Sequence, residues 1–567
     1  MTNPVPIALA QLNAHLGNID ANISRLAGAR ANAAANGAKI IVTPEMYLSG
    51  YPCDDLVLRS DFMAEVASGI SRLAAETADG GPAIIVGAPH IDGDVIRNSV
   101  FVLDEGAIKA RRDKVNLPNY GVFDDKRNFT AGELPGPVMV RGRRLGLPIC
   151  EDIWTGDVVE CLAESGAEII ISLNASPFEL GKTDQRMMHA VTRVHESRLP
   201  FIYVNMTGGQ DELVYDGGSF ALAGDGSLAC QLPSFSESVV VVQLEDSFGT
   251  LSLTGQVSPP DEGMEALYRG LTLGLRDYVN KNGFPGVVLG LSGGIDSAIV
   301  AAIAVDALGP EQVHAVMMPS PYTSQESLDD AADLAKRLGI RLDEISIGPA
   351  MQAMEDMLAG QFAGTEPDIS EENIQSRLRG LTLMGISNKH GCMVLATGNK
   401  SEYAAGYSTL YGDMCGGFAP IKDVWKVQVF DLCRWRNVNL PRGAAGPEGE
   451  VIPLRIIEKP PSAELRPDQK DTDSLPPYDR LDAIMMALCE EMVDIETIVS
   501  RGYDRHEVAR ASQLLFRAEY KRFQAAPGPK MTPRAFGRDR RLPMTSGFNP
   551  LHVVSDNENG QRPKKEN

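Results

Sequence analysis

Two long blocks of alternating strand-like and helix-like segments meet at the dipeptide Pro259-Pro260, and this alternation limits the folds open to the chain more than any motif does. In the first block, strands are expected at PVPIALAQL, KIIVTPE, AIIVGAPH, SVFVLD, RLGLPICED, EIIISLNAS and FIYVNMTG, with helical stretches between them. That pattern gives a layered α/β domain. In the second block, VVLGL, SGGIDS and AIVAAIAVDAL read as strand, tight turn and helix, followed by strand-like VHAVMMPS and MVLATGN, so a second α/β domain with a parallel sheet is expected. Its later part turns to charge and proline in EKPPSAELRPDQKDTDSLPPYDR and then to a helical segment from about Asp479 to Phe523. The length of 567 residues agrees with two domains, because single cores stop growing near ~250 to 300 residues. The expected division is a first domain over 1–255, a linker over 256–265, a second domain over 266–550 and a disordered tail over 551–567, ending in the polar run DNENGQRPKKEN.

Composition narrows the function classes. Hydrophobic residues at 43% and charged residues at 23% are those of a globular chain with ample surface to bury. The net charge of −22 repels nucleic-acid phosphates and anionic lipid, so neither nucleic acid nor membrane is an expected partner. The first twenty residues lack a basic start and an unbroken apolar run, and the longest apolar candidate, AIVAAIAVDAL, is interrupted by Asp306. A cytoplasmic location is expected. The eight cysteines form no CxxC pair, which fits a reducing compartment and argues against a disulfide framework or a zinc ribbon.

One cysteine stands apart by its place. Cys150 closes the apolar run RLGLPIC, at a strand's carboxyl end, where α/β folds put their ligand clefts. A cysteine there is more often a packed small hydrophobe; its company argues otherwise. Glu45 follows KIIVTP and Lys114 lies in RRDKVNLPNY, offering a carboxylate and an ammonium at two further strand ends. A thiol needs a base to attack an amide, and the resulting oxyanion needs a cation or oriented N–H donors. Glu45, Lys114, Cys150 and the backbone N–H of Glu151 supply all of these, although either charge alone is more simply a solvated one.

The segments PEMYLSGYP, KVNLPNYGVFDDKRNF and ICEDIW resemble, in order along the chain, the three signature segments of the nitrilase (carbon-nitrogen hydrolase) superfamily. The resemblance covers about residues 4 to 255 and implies a four-layer αββα sandwich with Glu45, Lys114 and Cys150 as its triad. Asp125 in GVFDDKR stands where the family often has a glutamate. In glutamine-using members the positions matching Tyr120, Ser176 and Lys182 bind substrate, and a lysine there would neutralise the α-carboxylate of glutamine.

The second block carries a different chemistry. In GLSGGIDSA the glycines permit close backbone approach, and the following helix start presents unpaired N–H groups to an anion. The loop lacks the Gly-Lys-Ser/Thr ending of a Walker A motif, which disfavours γ-phosphate transfer. In its strand-turn-helix setting SGGIDS resembles the pyrophosphate loop of N-type ATP pyrophosphatases, which cleave ATP to AMP and pyrophosphate while adenylating a substrate oxygen. That resemblance implies ATP contacts from Gly290, Leu291, Ser292, Gly293, Gly294, Ile295, Asp296 and Ser297, with Asp296 holding Mg²⁺; a first-turn aspartate also caps a helix.

Further along, ENIQSRLRG, ATGNKSEYAAGYSTLYGD, PIKDVWKVQVF and PPSAELRPDQKD resemble the NAD⁺ synthetase family in order and approximate spacing. Together the resemblances cover nearly the whole chain and match the glutamine-dependent members, with a nitrilase-like glutaminase followed by a Rossmann-like synthetase. They imply an ATP contact at Thr397, a second magnesium carboxylate at Glu402, and a deamido-NAD⁺ site lined by Asn373, Glu402 and Lys521. Lys426 and Ser462 match more loosely as ATP or intermediate contacts. The basic cluster Lys521, Arg522, Lys530, Arg534, Arg538, Arg540 and Arg541 has the charge to close over a dinucleotide's phosphates, or is generic solvated charge. The implied reaction draws NH₃ from glutamine, activates the nicotinate carboxylate of deamido-NAD⁺ as an acyl-adenylate, and joins the two. The resemblance also implies a homo-oligomer. Because protonated ammonium is not nucleophilic, an enclosed path and coupling between the sites are expected. Two other readings stay open at this point: a glutamine-fuelled ligase for a different carboxylate, and a catalytically silent nucleotide-binding protein.

Overall fold

The computed structural model describes residues 5–247, 250–467, 469–473 and 475–548, so the tail expected over 551–567 lies outside the described residues. The chain divides into two compact units, Met1–Ala266 and Leu267–Asn567.

Two sheets form the centre of the first unit. Seven strands run in the spatial order Thr250–Thr254, Ser238–Ser247, Ile7–Gln11, Ile40–Val42, Ala83–Asp92, Val95–Asp104 and Ala107–Asp113. Six run in the order Leu228–Gln231, Phe220–Leu222, Phe201–Asn205, Ile169–Asn174, Arg143–Gly146 and Val138–Val140. Side-chain alternation along Ile7–Gln11 builds the layers. Ile7 and Leu9 join Val42, Ile85, Leu145, Ile171 and Val204 in the core between the sheets. Ala8 and Ala10 turn the other way, to Leu26, Val66 and Ile70 of helices Ile19–Ala35 and Ser60–Glu76. On the outer face of the six-stranded sheet, Ile170, Phe201 and Tyr203 pack on Val158, Leu162, Ala190 and Val194 of helices Asp157–Glu164 and Lys182–Ser197. The result is an αββα sandwich. Its central strands are covered on both faces, which is why KIIV, AIIV and EIII read as continuous apolar runs.

The strand expected through RLGLPICED is shorter than its apolar pattern. Regular pairing ends at Gly146, a single bridge joins Ile149 to Leu173, and Cys150–Ile153 forms one turn of 3₁₀ helix. Pro148 has no N–H to continue the ladder.

The second unit holds a four-stranded parallel sheet in the order Arg341–Glu344, Val313–Met317, Val287–Gly290 and Met393–Leu395. From Val287–Gly290 the chain proceeds to a neighbour on one side and later returns on the other, so the carboxyl end of this strand is a topological switch point. Helix Ile295–Leu308 follows it and is apolar all round because nearly every face is buried. The helical run expected from about Asp479 to Phe523 is four helices, Tyr478–Cys489, Ile495–Ser500, Arg505–Arg517 and Glu519–Arg522. Two of the three breaks fall at Asp494 and Asp504, whose carboxylates accept from Thr497 N and from His506 and Glu507 N and so restart the helix, and the third falls at Ala518. Leu481, Ile484, Ile498, Val508 and Leu515 hold the group together. Among the described residues, no helix is long and apolar enough to cross a membrane.

Candidate active sites

The end of Ile40–Val42 brings Glu45 into the sandwich, where its backbone N–H donates to Asn174 O of the opposite sheet (3.4 Å). Gly87 permits the approach: a Cβ there would sit 2.3 Å from Met46 N and 2.9 Å from the Glu45 carbonyl carbon. The Glu45 side chain is 1% exposed and fully engaged. Its Oε1 accepts from Lys114 Nζ (2.7 Å) and Asn98 Nδ2 (2.8 Å), and its Oε2 from Ala175 N (3.0 Å). Lys114 Nζ also donates to Asp125 Oδ2 (2.9 Å), whose Oδ1 accepts from Tyr51 Oη (2.7 Å). A buried ammonium thus faces two carboxylates. Burial alone would lower the Lys114 pKa, but Asp125 and Glu45 outweigh it and hold the group well above its ordinary value, charged at any working pH.

Cys150 opens its 3₁₀ turn with φ at +45°, a sparsely populated conformation for a residue with a side chain, and it is buried. Burial pushes its thiol well above the usual range; the Glu45 charge adds to that, while the Lys114 charge and the Ala175 N–H oppose it. The thiol is therefore neutral at rest and needs a base. Glu45 is coupled to it electrostatically and is itself bonded to Lys114, so the structure brings Glu45, Lys114 and Cys150 together.

Three further residues surround this centre. Tyr120, half-exposed, donates through its hydroxyl to both Glu151 oxygens (3.1 and 3.0 Å). Its ring meets Phe123 edge-on, and Lys182 Nζ lies 5.7 Å from the centre of that same Phe123 ring. Tyr120 and Lys182 thereby share Phe123 as a neighbour. Lys182 opens helix Lys182–Ser197 and lies 3.8 Å from Glu179 Oε2. Ser176 is buried, two residues beyond strand Ile169–Asn174; its Oγ accepts from Arg186 Nε (3.0 Å), and Arg186 is paired in turn with Asp216 (2.7 Å).

In the second unit, all eight residues from Gly290 to Ser297 line a cavity of about 290 Å³, together with Thr397, Glu402, Lys426, Ser462 and Asp471. The loop is braced internally: Ser292 N and Oγ approach Ser297 Oγ (3.3 and 3.1 Å), Gly294 N donates to Ser292 Oγ (3.2 Å), and Ser297 Oγ donates to Gly294 O (2.9 Å). Gly293 has φ at +77°, and a Cβ on it would lie 2.3 Å from Ser327 O. Only glycine fits.

Asp296 and Glu402 converge. Asp296 Oδ2 takes a hydrogen bond from Lys426 Nζ, which is also 3.8 Å from Glu402 Oε1. Asn399 links them further, donating through Nδ2 to Asp296 Oδ1 (2.8 Å) while its backbone and side chain form a reciprocal cap with Glu402. Burial, then the nearby Asp296 charge, raises Glu402 well above the usual carboxylate range, with Lys426 opposing. Burial also raises Asp471, and the Lys426 charge and the hydroxyl of Tyr478 (2.9 Å) pull it back.

Asn373 and Lys521 stand outside that lining and meet on the 406–409 loop. Asn373 Oδ1 accepts from Thr409 Oγ1 (2.9 Å), and Lys521 Nζ donates to Gly406 O and Ser408 O (both 2.7 Å). Tyr407 and Thr409 of that loop do line the cavity. Much of the basic cluster is internal. Arg522 is spent on Tyr403 O, Ala404 O and Glu519, Arg540 is 3.5 Å from Glu519, and Lys530 is paired with Asp539 (2.9 Å).

Asn98, Tyr51, Asn399 and Asp471 were not reached by reading the sequence. Asn98 lies mid-strand in a run that reads as ordinary sheet, Tyr51 and Asp471 as loop residues, and only Asn399 carried a signal, as the N-cap of KSEYAA with Glu402 three positions on.

The comparisons with known proteins agree with this division. Residues 6–250 match the carbon-nitrogen hydrolase family and residues 267–525 the NAD synthase family. The glutamine-dependent NAD(+) synthetase of Rhodobacter capsulatus is 50% identical over 547 residues, spanning 96% of this chain and 99% of its own. That of Thermotoga maritima is 42% identical, spanning 96% and 98%. The solved structure of the glutamine-dependent NAD⁺ synthetase of Acinetobacter baumannii in complex with ADP superposes with a TM-score of 0.77 at 40% identity, covering 96% of this chain and 99% of that one.

Proposed function

The chain belongs to the glutamine-dependent NAD⁺ synthetases, and from that membership we propose how its two sites divide the reaction. The overall chemistry is the ATP-dependent amidation of deamido-NAD⁺ to NAD⁺, with glutamine as nitrogen donor and AMP, pyrophosphate and glutamate as the other products. A carboxylate resists ammonia until AMP becomes its leaving group, so two separate activations are needed.

In the first unit Glu45 takes the proton of the Cys150 thiol as sulfur attacks the glutamine amide. Supporting this is the Glu45 carboxylate, fixed by three donors beside a thiol too buried to ionise by itself. Lys114 and the Glu151 N–H stabilise the oxyanion, and Glu45 passes its proton to the departing ammonia. Water then hydrolyses the thioester, with Glu45 again as base. Tyr120, Ser176 and Lys182 hold the glutamine backbone end, Lys182 through the α-carboxylate.

In the second unit the SGGIDS loop and the start of helix Ile295–Leu308 cradle the ATP phosphates, with Thr397 as a further contact. The donor set fits Mg²⁺: Asp296 and Glu402 are oxygen ligands that already converge on one cationic point, Lys426 Nζ. Mg²⁺ takes one or two protein carboxylates with phosphates and waters, and when bound it would neutralise charge on the phosphates. Asn373, Glu402 and Lys521 serve deamido-NAD⁺, the first and last by shaping the 406–409 loop. The working form in this reading is a homo-oligomer.

The observation that carries the assignment is the co-occurrence in one chain of the Glu45–Lys114–Cys150 cluster and the SGGIDS cavity. It is tested by incubating the protein with Mg-ATP, deamido-NAD⁺ and either glutamine or ammonium. NAD⁺ forming in step with AMP and pyrophosphate is the expected result. Absence of NAD⁺ with both donors, with turnover on another carboxylate, would assign a different ligase.

A further inference from the structure

The Glu45 cluster explains what holds the base, but not what fixes Lys114 against Cys150. Lys114 directly follows strand Ala107–Asp113 while Cys150 opens a 3₁₀ turn, and that turn is in a strained conformation that something must hold. The clamp is a carboxylate that reaches both segments. Asp152, 1% exposed, accepts through Oδ1 from Val115 N (3.0 Å) and Asn116 N (2.7 Å), and through Oδ2 from Ile149 N (3.0 Å). Val115 and Asn116 directly follow Lys114; Ile149 directly precedes Cys150. A second tie lies outside it, where Asn116 Nδ2 donates to Thr155 Oγ1 (3.0 Å). Burial pushes Asp152 up to about 7, and the N–H donors pull it back.

We infer that Asp152 is a positioning residue of the thiol site, its two oxygens fixing the segment that carries Lys114 to the turn that carries Cys150. This rests on the reading of Glu45, Lys114 and Cys150 as the glutaminase triad. An Asn at this position keeps the shape and one acceptor oxygen, but turns an NH₂ toward an N–H that needs an acceptor. One of the two segments is then released, with no change to any group that touches glutamine.

The test compares wild type, Asp152→Asn, Asp152→Glu and Cys150→Ala in the full chain. Glutamine-driven turnover is read as kcat and KM, and Cys150 alkylation by iodoacetamide is followed against pH by peptide mass spectrometry. Ammonium-driven NAD⁺ formation serves to normalise for folded protein. A displacement of about 1 Å at a reacting centre costs on the order of 100-fold, so Asp152→Asn is expected to lose roughly 10- to 100-fold in kcat with little change in KM. Its alkylation profile is expected to move to higher pH, because Lys114 no longer stabilises the thiolate as well. Asp152→Glu, which restores both acceptor oxygens, is expected to recover part of both, and it carries the comparison if the Asn variant does not fold. The inference is overturned if kcat falls only in proportion to the folded fraction with the alkylation profile unmoved, or if it does not fall. Glutamine-driven turnover surviving in Cys150→Ala would instead sink the triad reading itself.

Discussion

Gly293→Ala isolates the phosphate loop from everything else in the chain. The alanine Cβ would lie 2.3 Å from Ser327 O and 2.9 Å from Ser327 C, where ordinary contact begins at 3.4 Å. Those are backbone atoms in the first turn of helix Gln325–Leu338, whose start is tied by Ser324, Ser327 and Glu464, so the helix does not yield easily. The SGGIDS loop must retreat by about 1 Å, and a shift of that size at a reacting centre costs roughly 100-fold in rate. The φ of +77° adds about 1 to 2 kcal/mol of backbone strain for an L-residue, which lowers the melting temperature by a few degrees without unfolding the protein. The assay is AMP and NAD⁺ formation from Mg-ATP, deamido-NAD⁺ and saturating ammonium, with circular dichroism to establish folding. A loss of roughly 100-fold is expected with ammonium and glutamine alike. A folded variant within about threefold of wild type would refute the argument that the loop's close backbone approach is what positions ATP.

Asp125→Asn removes one of the two charges that hold the Lys114 ammonium while keeping the contact with Tyr51; glutamine-driven kcat is expected to fall about tenfold or more with ammonium-driven synthesis kept, and an unchanged glutamine rate would contradict the role given to that carboxylate. Lys400→Met leaves the buried Asp423 and the partly buried Glu490 without the cation 2.8 Å from each, so denaturant titration should show a loss of roughly 3 to 5 kcal/mol; a neutral effect would mean the network relaxes. Burial raises Asp482 to about 6, with the Ser401 hydroxyl opposing. A raised carboxyl stabilises the fold fully when protonated in both states, and that contribution is lost as pH rises through about 6. The stability of wild type relative to Asp482→Asn should therefore fall from the ordinary carboxylate range to pH 7, and a difference that is flat or rises would be the contrary result.

The layers and the chemistry of this chain were legible in its sequence for different reasons. KIIV, AIIV and EIII are buried on both faces, so their apolar runs announced strands; Thr250–Thr254 and Ala107–Asp113 lie at sheet edges, and their mixed polarity left them out of the expected strands. Glu45 and Cys150 were found because each ends or follows an apolar run, and Lys114 because it lies in KVNLPNYGVFDDKRNF, which resembles a signature segment of the carbon-nitrogen hydrolases. Asn98 and Asp152 were not, because their work is to bond other catalytic segments across gaps of 53 and 37 residues, a relation that no local pattern encodes. The basic residues near the end stayed open between a phosphate-binding cluster and generic solvated charge, because charge is visible in a sequence and its partner is not. Glu519 and Asp539 occupy three of its seven members, Arg522, Arg540 and Lys530.

The central claim is that one chain runs two separable activations, with Cys150 needed only for the first. The most direct test measures NAD⁺ formation from deamido-NAD⁺ and Mg-ATP by Cys150→Ala with glutamine and, separately, with ammonium, while following pyrophosphate. The account predicts that glutamine-driven synthesis disappears and ammonium-driven synthesis stays near the wild-type rate. Loss of both reactions in a folded variant, or survival of the glutamine reaction, would contradict it.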